Sequence, residues 1–318
     1  MKTETFDYIS SLVKERSGIV LTREKEYLLE SRLEPVARRH GMQSVDDVAE
    51  ALRRSPQGLL ATDVIEAMTT NETFFFRDRT PFDLFKDEML PYMKTARSKE
   101  KKLRIWCAAA SMGQEPYSIS MLLKEDPAMA SWRTEILGTD ISNEALEKAK
   151  AGLYSQFEVQ RGLPVQLLVK YFKQHGDMWQ LDSGIRAMVQ YKNFNLLNSF
   201  AVHGRFDIVF CRNVLIYFDQ PTKKDILERI AKQMPDDGFL VLGAAETVIG
   251  ITDAFKSVPG KRGLFSVNRK SEEKAPLRAA VGASSAGLPP RPALQGAAKP
   301  AAQPSASRFT SRFPLKAG

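Results

Sequence analysis

The sequence predicts an α/β protein, in which a Rossmann-like domain carries a small antiparallel β-subdomain and follows a small all-helical domain. Three observations support this. Residues 6 to 68 place apolar side chains at spacings of three and four and contain no convincing strand. From Leu103 onward, strand-like and helix-like segments alternate, as in a parallel sheet with crossover helices. Between Tyr154 and Met188 that rhythm breaks, and Trp179, Leu181, Ile185 and Met188 flank Asp182-Ser183-Gly184, which reads as a hairpin turn.

In chain order, Phe6, Ile9, Leu12 and Val13 mark the first helix and Leu28, Leu29, Leu33, Val36 and Ala37 the next. Leu59, Val64, Ile65 and Met68 close a domain bounded at 1–70. Residues 71–102 read as a linker with a cofactor-covering segment, ending in the charged stretch Lys94 to Lys102. The α/β domain spans 103–270, with its insertion at about 155–190. Its expected strands are Leu103 to Ala109, Glu135 to Asp140, Val189 to Phe194, Phe206 to Cys211, Gly238 to Leu242 and Leu264 to Val267. Helices are expected at Tyr117 to Lys124 and Asn143 to Ala151. Residues 271–318 are rich in Ala, Pro, Ser and Gly without apolar periodicity, a composition that cannot offset its ordering entropy and predicts a disordered tail.

The composition excludes several function classes. An apolar content of 43% in 318 residues supports real cores, and no apolar run approaches the roughly 20 residues of a membrane span. The start, MKTETFDYIS, is too acidic and polar for a secretory signal, so a cytoplasmic location is expected. Cys107 and Cys211 lie in apolar strand-like runs and read as reduced core residues, and three histidines without a CxxC pair argue against a metal site. The net charge of +8 raises the question of nucleic acid, but seven Lys/Arg against two Glu sit in the tail, which leaves the folded part nearly balanced. Nothing in the chain requires more than a monomer.

The most informative stretch is Trp106 to Ser120, WCAAASMGQEPYSIS: a buried strand, a turn of small residues, then a helix opening with Glu115 and Pro116. Ala108 to Ser111 and Gly113 leave room for a ligand to approach the backbone. The turn lacks GxGxxG spacing, and an acid in the first helical turn repels phosphate but favours a cation. A nucleoside ligand with an ammonium end and no phosphates fits this cradle, and S-adenosylmethionine is such a ligand. The next strand ends in GTDIS, with Asp140 at the carboxyl edge, where an acid can hold both ribose hydroxyls. Asn195 and Leu196 end the following strand and could meet an adenine. FDIVFCRNVLIYFD places Arg212 and Asn213 at the polar end of a buried strand. There, Asn213 and the Val214 backbone could read the cofactor while Tyr217 reaches the reaction side. In TNETFFFRD, three consecutive phenylalanines cannot share one face, so some must pack under a neighbour and fix Asn71, Thr73 and Arg77 over the cofactor mouth.

These four segments, TNETFFFRD, WCAAASMGQEPYSIS, GTDIS and FCRNVLIYFD, stand in order with Asn195-Leu196 between the last two, and together the sequence resembles the chemotaxis receptor methyltransferases, the CheR family. The likeness covers roughly Phe6 to Arg269. It implies an S-adenosylmethionine-dependent methyltransferase fold for the α/β domain. Cofactor contacts are implied from Asn71, Thr73, Arg77, Glu115, Asp140, Asn195, Leu196, Asn213 and Val214, with Arg77 and Tyr217 beside the transferring methyl. It further implies transfer to glutamate side chains on the cytoplasmic helices of methyl-accepting chemoreceptors, giving glutamyl methyl esters and S-adenosylhomocysteine in chemotaxis adaptation. Partners would then be those receptors, without nucleic acid or membrane insertion.

By the same resemblance a basic second helix faces the receptor, and Lys25, Arg32 and Arg38 match its basic positions, with Arg23 and Arg39 adjacent. Pro35 replaces another basic residue and is expected to begin or kink a helix. Some family members capture a receptor's carboxy-terminal pentapeptide with a glycine-rich loop. FKQHGDMWQLDSG lacks that glycine cluster, so no pentapeptide tether is expected. Two other readings stand beside this one: a cofactor-binding signalling scaffold with weak catalysis, and a nucleic-acid methyltransferase. The intact site residues argue against the first, and the absence of a D/N-P-P-Y/F motif against the second.

Overall fold

The computed structural model describes residues 1–269, so the tail expected to be disordered lies outside the described residues. Four helices come first: α1 (Thr3–Ser17), α2 (Glu26–Arg39), α3 (Val45–Arg54) and α4 (Leu59–Met68). Their apolar stripes meet in one cluster containing Ile9, Val13, Leu29, Leu33, Val48, Leu52 and Val64. Ser44 opens α3 with a reciprocal capping box to Asp47. Helix α2 continues through Pro35, so of the two expectations for this residue, a helix start or a kink, the start is excluded.

Residues 71–102 are more than a link. After the TNETFFFRD segment come α5 (Thr80–Leu84), a π-helical turn (Phe85–Met89) and α6 (Leu90–Ala96). Phe82, Phe85, Met89, Leu90 and Met93 are buried in the main core, so this stretch covers one face of the sheet. The charged letters of the region hid that apolar stripe, because Lys86, Asp87 and Glu88 fill the outer face.

The α/β part contains β1 (Lys102–Ala108), α7 (Gln114–Glu125), β2 (Arg133–Asp140), α8 (Asn143–Ala151), β3 (Leu153–Ser155), α9 (Gln156–Gln160), α10 (Val165–Tyr171), β4 (Phe172–His175), β5 (Met178–Leu181), α11 (Ser183–Arg186), β6 (Val189–Asn193), β7 (Ile208–Cys211), α12 (Gln220–Lys232), β8 (Phe239–Leu242), β9 (Phe255–Ser257) and β10 (Leu264–Val267). The main sheet has the order β6-β2-β1-β7-β8-β10-β9. Its first five strands are parallel, whereas β10 runs antiparallel to both β8 and β9. Leu264 to Val267 thus departs from the parallel pattern, since no crossover helix separates it from β8. Chain order reverses between β1 and β7, and ligand crevices form at such switch points, outside the carboxyl ends of the strands.

The insertion is a three-stranded antiparallel sheet ordered β3-β5-β4. Its hairpin turns at Gly176-Asp177 rather than at Asp182-Ser183-Gly184. Asp182 instead caps α11, accepting from the Gly184 and Ile185 amides. Among the described residues, no helix is long and apolar enough to cross a membrane.

Candidate active site

One pocket opens at the switch point, and Asn71, Thr73, Arg77, Glu115, Asp140, Asn195, Leu196, Asn213, Val214 and Tyr217 all line it. The floor is the turn after β1, where Ala109 (φ 64°) and Ser111 (φ 49°) take left-handed conformations that side chains seldom adopt. Gly113 (φ 92°) is required there twice over, because a Cβ would also lie 2.7 Å from the Tyr191 hydroxyl.

Asp140 is buried at the end of β2. The Ser111 amide donates to one carboxylate oxygen at 2.8 Å and the Ser142 amide to the other at 2.9 Å. Burial pushes its carboxyl up while these amides oppose the rise. Ser142, not Asp140, caps α8 by accepting from the Ala145 amide. The Asp140 oxygens keep acceptor capacity toward the pocket, because a carboxylate offers about four lone-pair sites.

Glu115 is not a lone anion. Arg212 donates to its carboxylate at 2.6 Å, and its second terminal nitrogen reaches Asp78 and the Arg77 carbonyl, each at 2.8 Å. The Arg212 side chain is 2% exposed and its Nε is buried without a partner among the described residues. Burial pushes the Glu115 carboxyl up, and the guanidinium pulls against that rise. Arg212 was visible as a charge directly after an apolar strand, but the sequence did not reveal its partner, 97 positions away.

The three phenylalanines divide as expected. Phe75 packs edge-on against Tyr154 and Phe172 of the insertion, and Phe76 against Phe82. Phe74 remains half-buried beneath Arg77 and Arg161. The backbone reverses sharply here, with positive φ at Phe76, Asp78 and Arg79. Arg77 spends one donor on the Glu72 carbonyl at 2.7 Å and presents its half-buried side chain to the pocket.

Three expected roles fall on groups that already hold hydrogen bonds within the chain. The Val214 amide cannot read a ligand, because it donates to Glu246 at 3.0 Å; Val214 lines the pocket by its side chain. The Asn195 amide group is largely committed, donating to the Arg16 carbonyl and accepting from the Leu197 amide. Arg32 is not a free receptor contact. Its guanidinium reaches the carbonyls of Met68 (3.1 Å) and Thr69 (2.8 Å) and the Thr70 hydroxyl (3.1 Å), so it holds the end of α4 and the start of the TNETFFFRD segment.

Lys25 and Arg38 are exposed, as are Arg23 and Arg39, but Glu24, Glu26, Glu30 and Glu34 alternate with them along the same stretch. Arg38 pairs with Glu34 at 3.8 Å and Arg23 with Asp7 at 2.7 Å. The sequence reading also missed the helical domain's share of the pocket. Ser17, the last residue of α1, and Ile19, in the loop after it, line the pocket, and the Val20 amide donates to the Tyr217 carbonyl at 2.9 Å. Among the described residues, no cluster could hold a metal ion.

A ribose-height acid, an apolar wall of Ile141, Phe194 and Leu196, and a paired Glu115 and Arg212 at the far end suit a nucleoside bearing an amino-acid tail. The fold and pocket together define a nucleoside-cofactor methyltransferase class. Family comparison gives the particular family. The model described as the CheR methyltransferase, SAM binding domain matches residues 71–264, and the CheR methyltransferase, all-alpha domain matches 4–69. The chain is 39% identical over 265 residues to "Chemotaxis protein methyltransferase Cher2" of Pseudomonas putida, covering 82% of this chain and 96% of that protein. Identity and coverage are the same for "Chemotaxis protein methyltransferase 1" of Pseudomonas aeruginosa. With a "Chemotaxis protein methyltransferase" of Vibrio parahaemolyticus it is 36% over 261 residues, covering 80% and 94%. The chain belongs to the CheR methyltransferase family. It is a methyltransferase whose cofactor is S-adenosylmethionine.

Proposed function

We propose that this chain transfers the methyl group to glutamate side-chain carboxylates on the cytoplasmic helices of chemoreceptors, yielding glutamyl methyl esters and S-adenosylhomocysteine. The relatives' names point to chemotaxis. The carrying observation is the lining of the pocket, which includes both Arg77 and Tyr217 and, among the described residues, no histidine, cysteine or lysine. A site that methylates an amine must dispose of a proton. A glutamate, with a pKa of about 4.3, is already anionic at pH 7 and needs no base.

When bound, the cofactor supplies an electrophilic methyl on a sulfonium. Asp140 would hold its ribose hydroxyls, and Ile141, Phe194 and Leu196 would flank its base. Glu115 would take the ammonium and Arg212 the carboxylate of its amino-acid end, a zwitterion matched by a pre-formed ion pair. Arg77 would hold the incoming carboxylate by charge-assisted hydrogen bonds, with Tyr217 orienting it. Alignment of this kind supplies roughly 7 to 11 kcal/mol of barrier lowering. Because Arg77 also stabilises the ground-state carboxylate, its contribution is positioning more than acceleration.

Lys25 and Arg38 would meet the acidic receptor helices, and the short Gly176-Asp177 turn would leave the enzyme independent of a pentapeptide tether. Tight calorimetric binding of a receptor pentapeptide would refute that last point. The principal test incubates the protein with labelled S-adenosylmethionine and receptor-containing membranes. Alkali-released methanol is expected. Alkali-stable label, label on nucleic acid, or cofactor binding without transfer would overturn the reading.

A further inference from the structure

Glu246 lies on the turn after β8, outside the pocket lining, and neither motif nor charge pattern drew attention to it. Its carboxylate accepts four backbone amides: Gly243 at 2.7 Å and Asn213 at 2.8 Å on one oxygen, Leu215 at 2.8 Å and Val214 at 3.0 Å on the other. That exhausts the lone pairs of a carboxylate. Three of the four donors belong to consecutive residues leaving β7, the segment that carries Asn213 and leads into the short 3-10 turn Leu215–Tyr217. Asn213 has φ 58°, a left-handed conformation that asparagine adopts more readily than other side-chain-bearing residues, and its amide in that turn is the one that Glu246 holds.

The fourth donor ties this segment to the next strand end. Gly243 approaches so closely that a Cβ there would lie 2.7 Å from the Glu246 carboxylate and 3.0 Å from the Asn213 amide. The Glu246 amide in turn donates to the Gly243 carbonyl at 3.0 Å, closing the turn on itself. A single side chain thus staples the carboxyl ends of β7 and β8. The opposite side of the 3-10 turn is held by the Val20 amide on the Tyr217 carbonyl, so the turn is gripped between two elements.

We propose that Glu246 is a positioning residue for methyl transfer: it touches neither cofactor nor receptor glutamate, but sets the backbone from which Asn213 and Tyr217 enter the site. The inference rests on the reading that Tyr217 faces the reacting groups. A glutamine at 246 is nearly isosteric but replaces one acceptor oxygen with a donor, so two of the four amides lose their partner.

The test uses full-length Glu246→Gln, with Tyr217→Phe and the double variant. Hydrogen exchange of a peptide covering 212–218 should accelerate at least tenfold, while exchange in β1 is unchanged. The kcat for receptor methylation should fall at least tenfold with the receptor KM within about twofold. In the Tyr217→Phe background that loss should shrink to less than about threefold, because both changes act through one group. Unchanged exchange at 212–218, or losses that multiply in the double variant, would overturn the proposal. Should Glu246→Gln fail to accumulate, Gly243→Ala attacks the same staple and is read by the same outcomes. The exchange measurement needs no receptor. A failure of the receptor reading would therefore show as absent transfer by the unaltered protein, independently of the staple.

Discussion

The charged groups at the sheet edge and those on α2 carry similar letters but do opposite physical work. At the edge, Asp140, Glu115 and Arg212 are buried and nearly saturated by amides or by each other. Along α2 and the turn just before it, Lys25, Arg38 and Arg39 lie in water among glutamates. Desolvation makes each buried partner costly to remove, whereas exposed pairs contribute little and are screened by salt. Arg32 crosses between the groups, since it belongs to α2 by sequence but to the active-site segment by contact. The contrast shows that exposure and partner, not charge, decide what a basic residue is for.

The largest effect is expected at Arg212. Arg212→Met should leave Glu115 and Asp78 unpaired and cost about 3 to 5 kcal/mol of stability in urea unfolding, together with cofactor binding. A loss below about 1 kcal/mol would mean that the pair is effectively solvated. Next comes Arg77→Ala, which should lower transfer about a hundredfold while cofactor-free thermal stability stays unchanged; near-normal turnover would remove Arg77 from the site.

Glu115→Gln keeps the shape but halves the match to a zwitterion. Calorimetry should show cofactor affinity about tenfold weaker, with receptor docking unaltered. The sign of the pH effect follows from the same burial. The Glu115 carboxyl is raised, so it takes up a proton before exposed carboxylates do as pH falls, and cofactor affinity should drop first. Arg32→Ala sharpens the contrast, since a clamp predicts weaker cofactor binding where a receptor contact predicts weaker docking. Smallest of all, Lys25→Ala with Arg38→Ala should change receptor affinity by no more than about threefold, and less at high salt.

Much of the fold was legible in the letters. The apolar spacing of Phe6, Ile9, Leu12 and Val13 forced a helix, and the runs before Cys107, Asp140 and Cys211 forced buried strands, because burying alternating or periodic apolar groups leaves few backbone choices. Asp140 stood out because an acid ending such a strand must emerge at the carboxyl edge. Less legible was the covering helix at 80–96, whose stripe was masked by Lys86, Asp87 and Glu88. The hairpin was also misplaced, because an Asp-Ser-Gly sequence serves a helix cap as readily as a turn.

The sequence by itself determined the alternation of strands and helices after a helical domain and which residue types stand at the strand ends, since these follow from local periodicity and chain order, whereas the strand order that makes the switch point came from the folded sheet. Tertiary structure alone decided the pairing of Glu115 with Arg212, the anchoring of Arg32 on the Met68 and Thr69 carbonyls and the four amides on Glu246. The Gly243 amide excepted, each joins groups 31 or more positions apart, and most draw on backbone groups that every residue carries alike. Such contacts leave no signature in residue type or spacing, and only the folded chain brings the partners within hydrogen-bond distance.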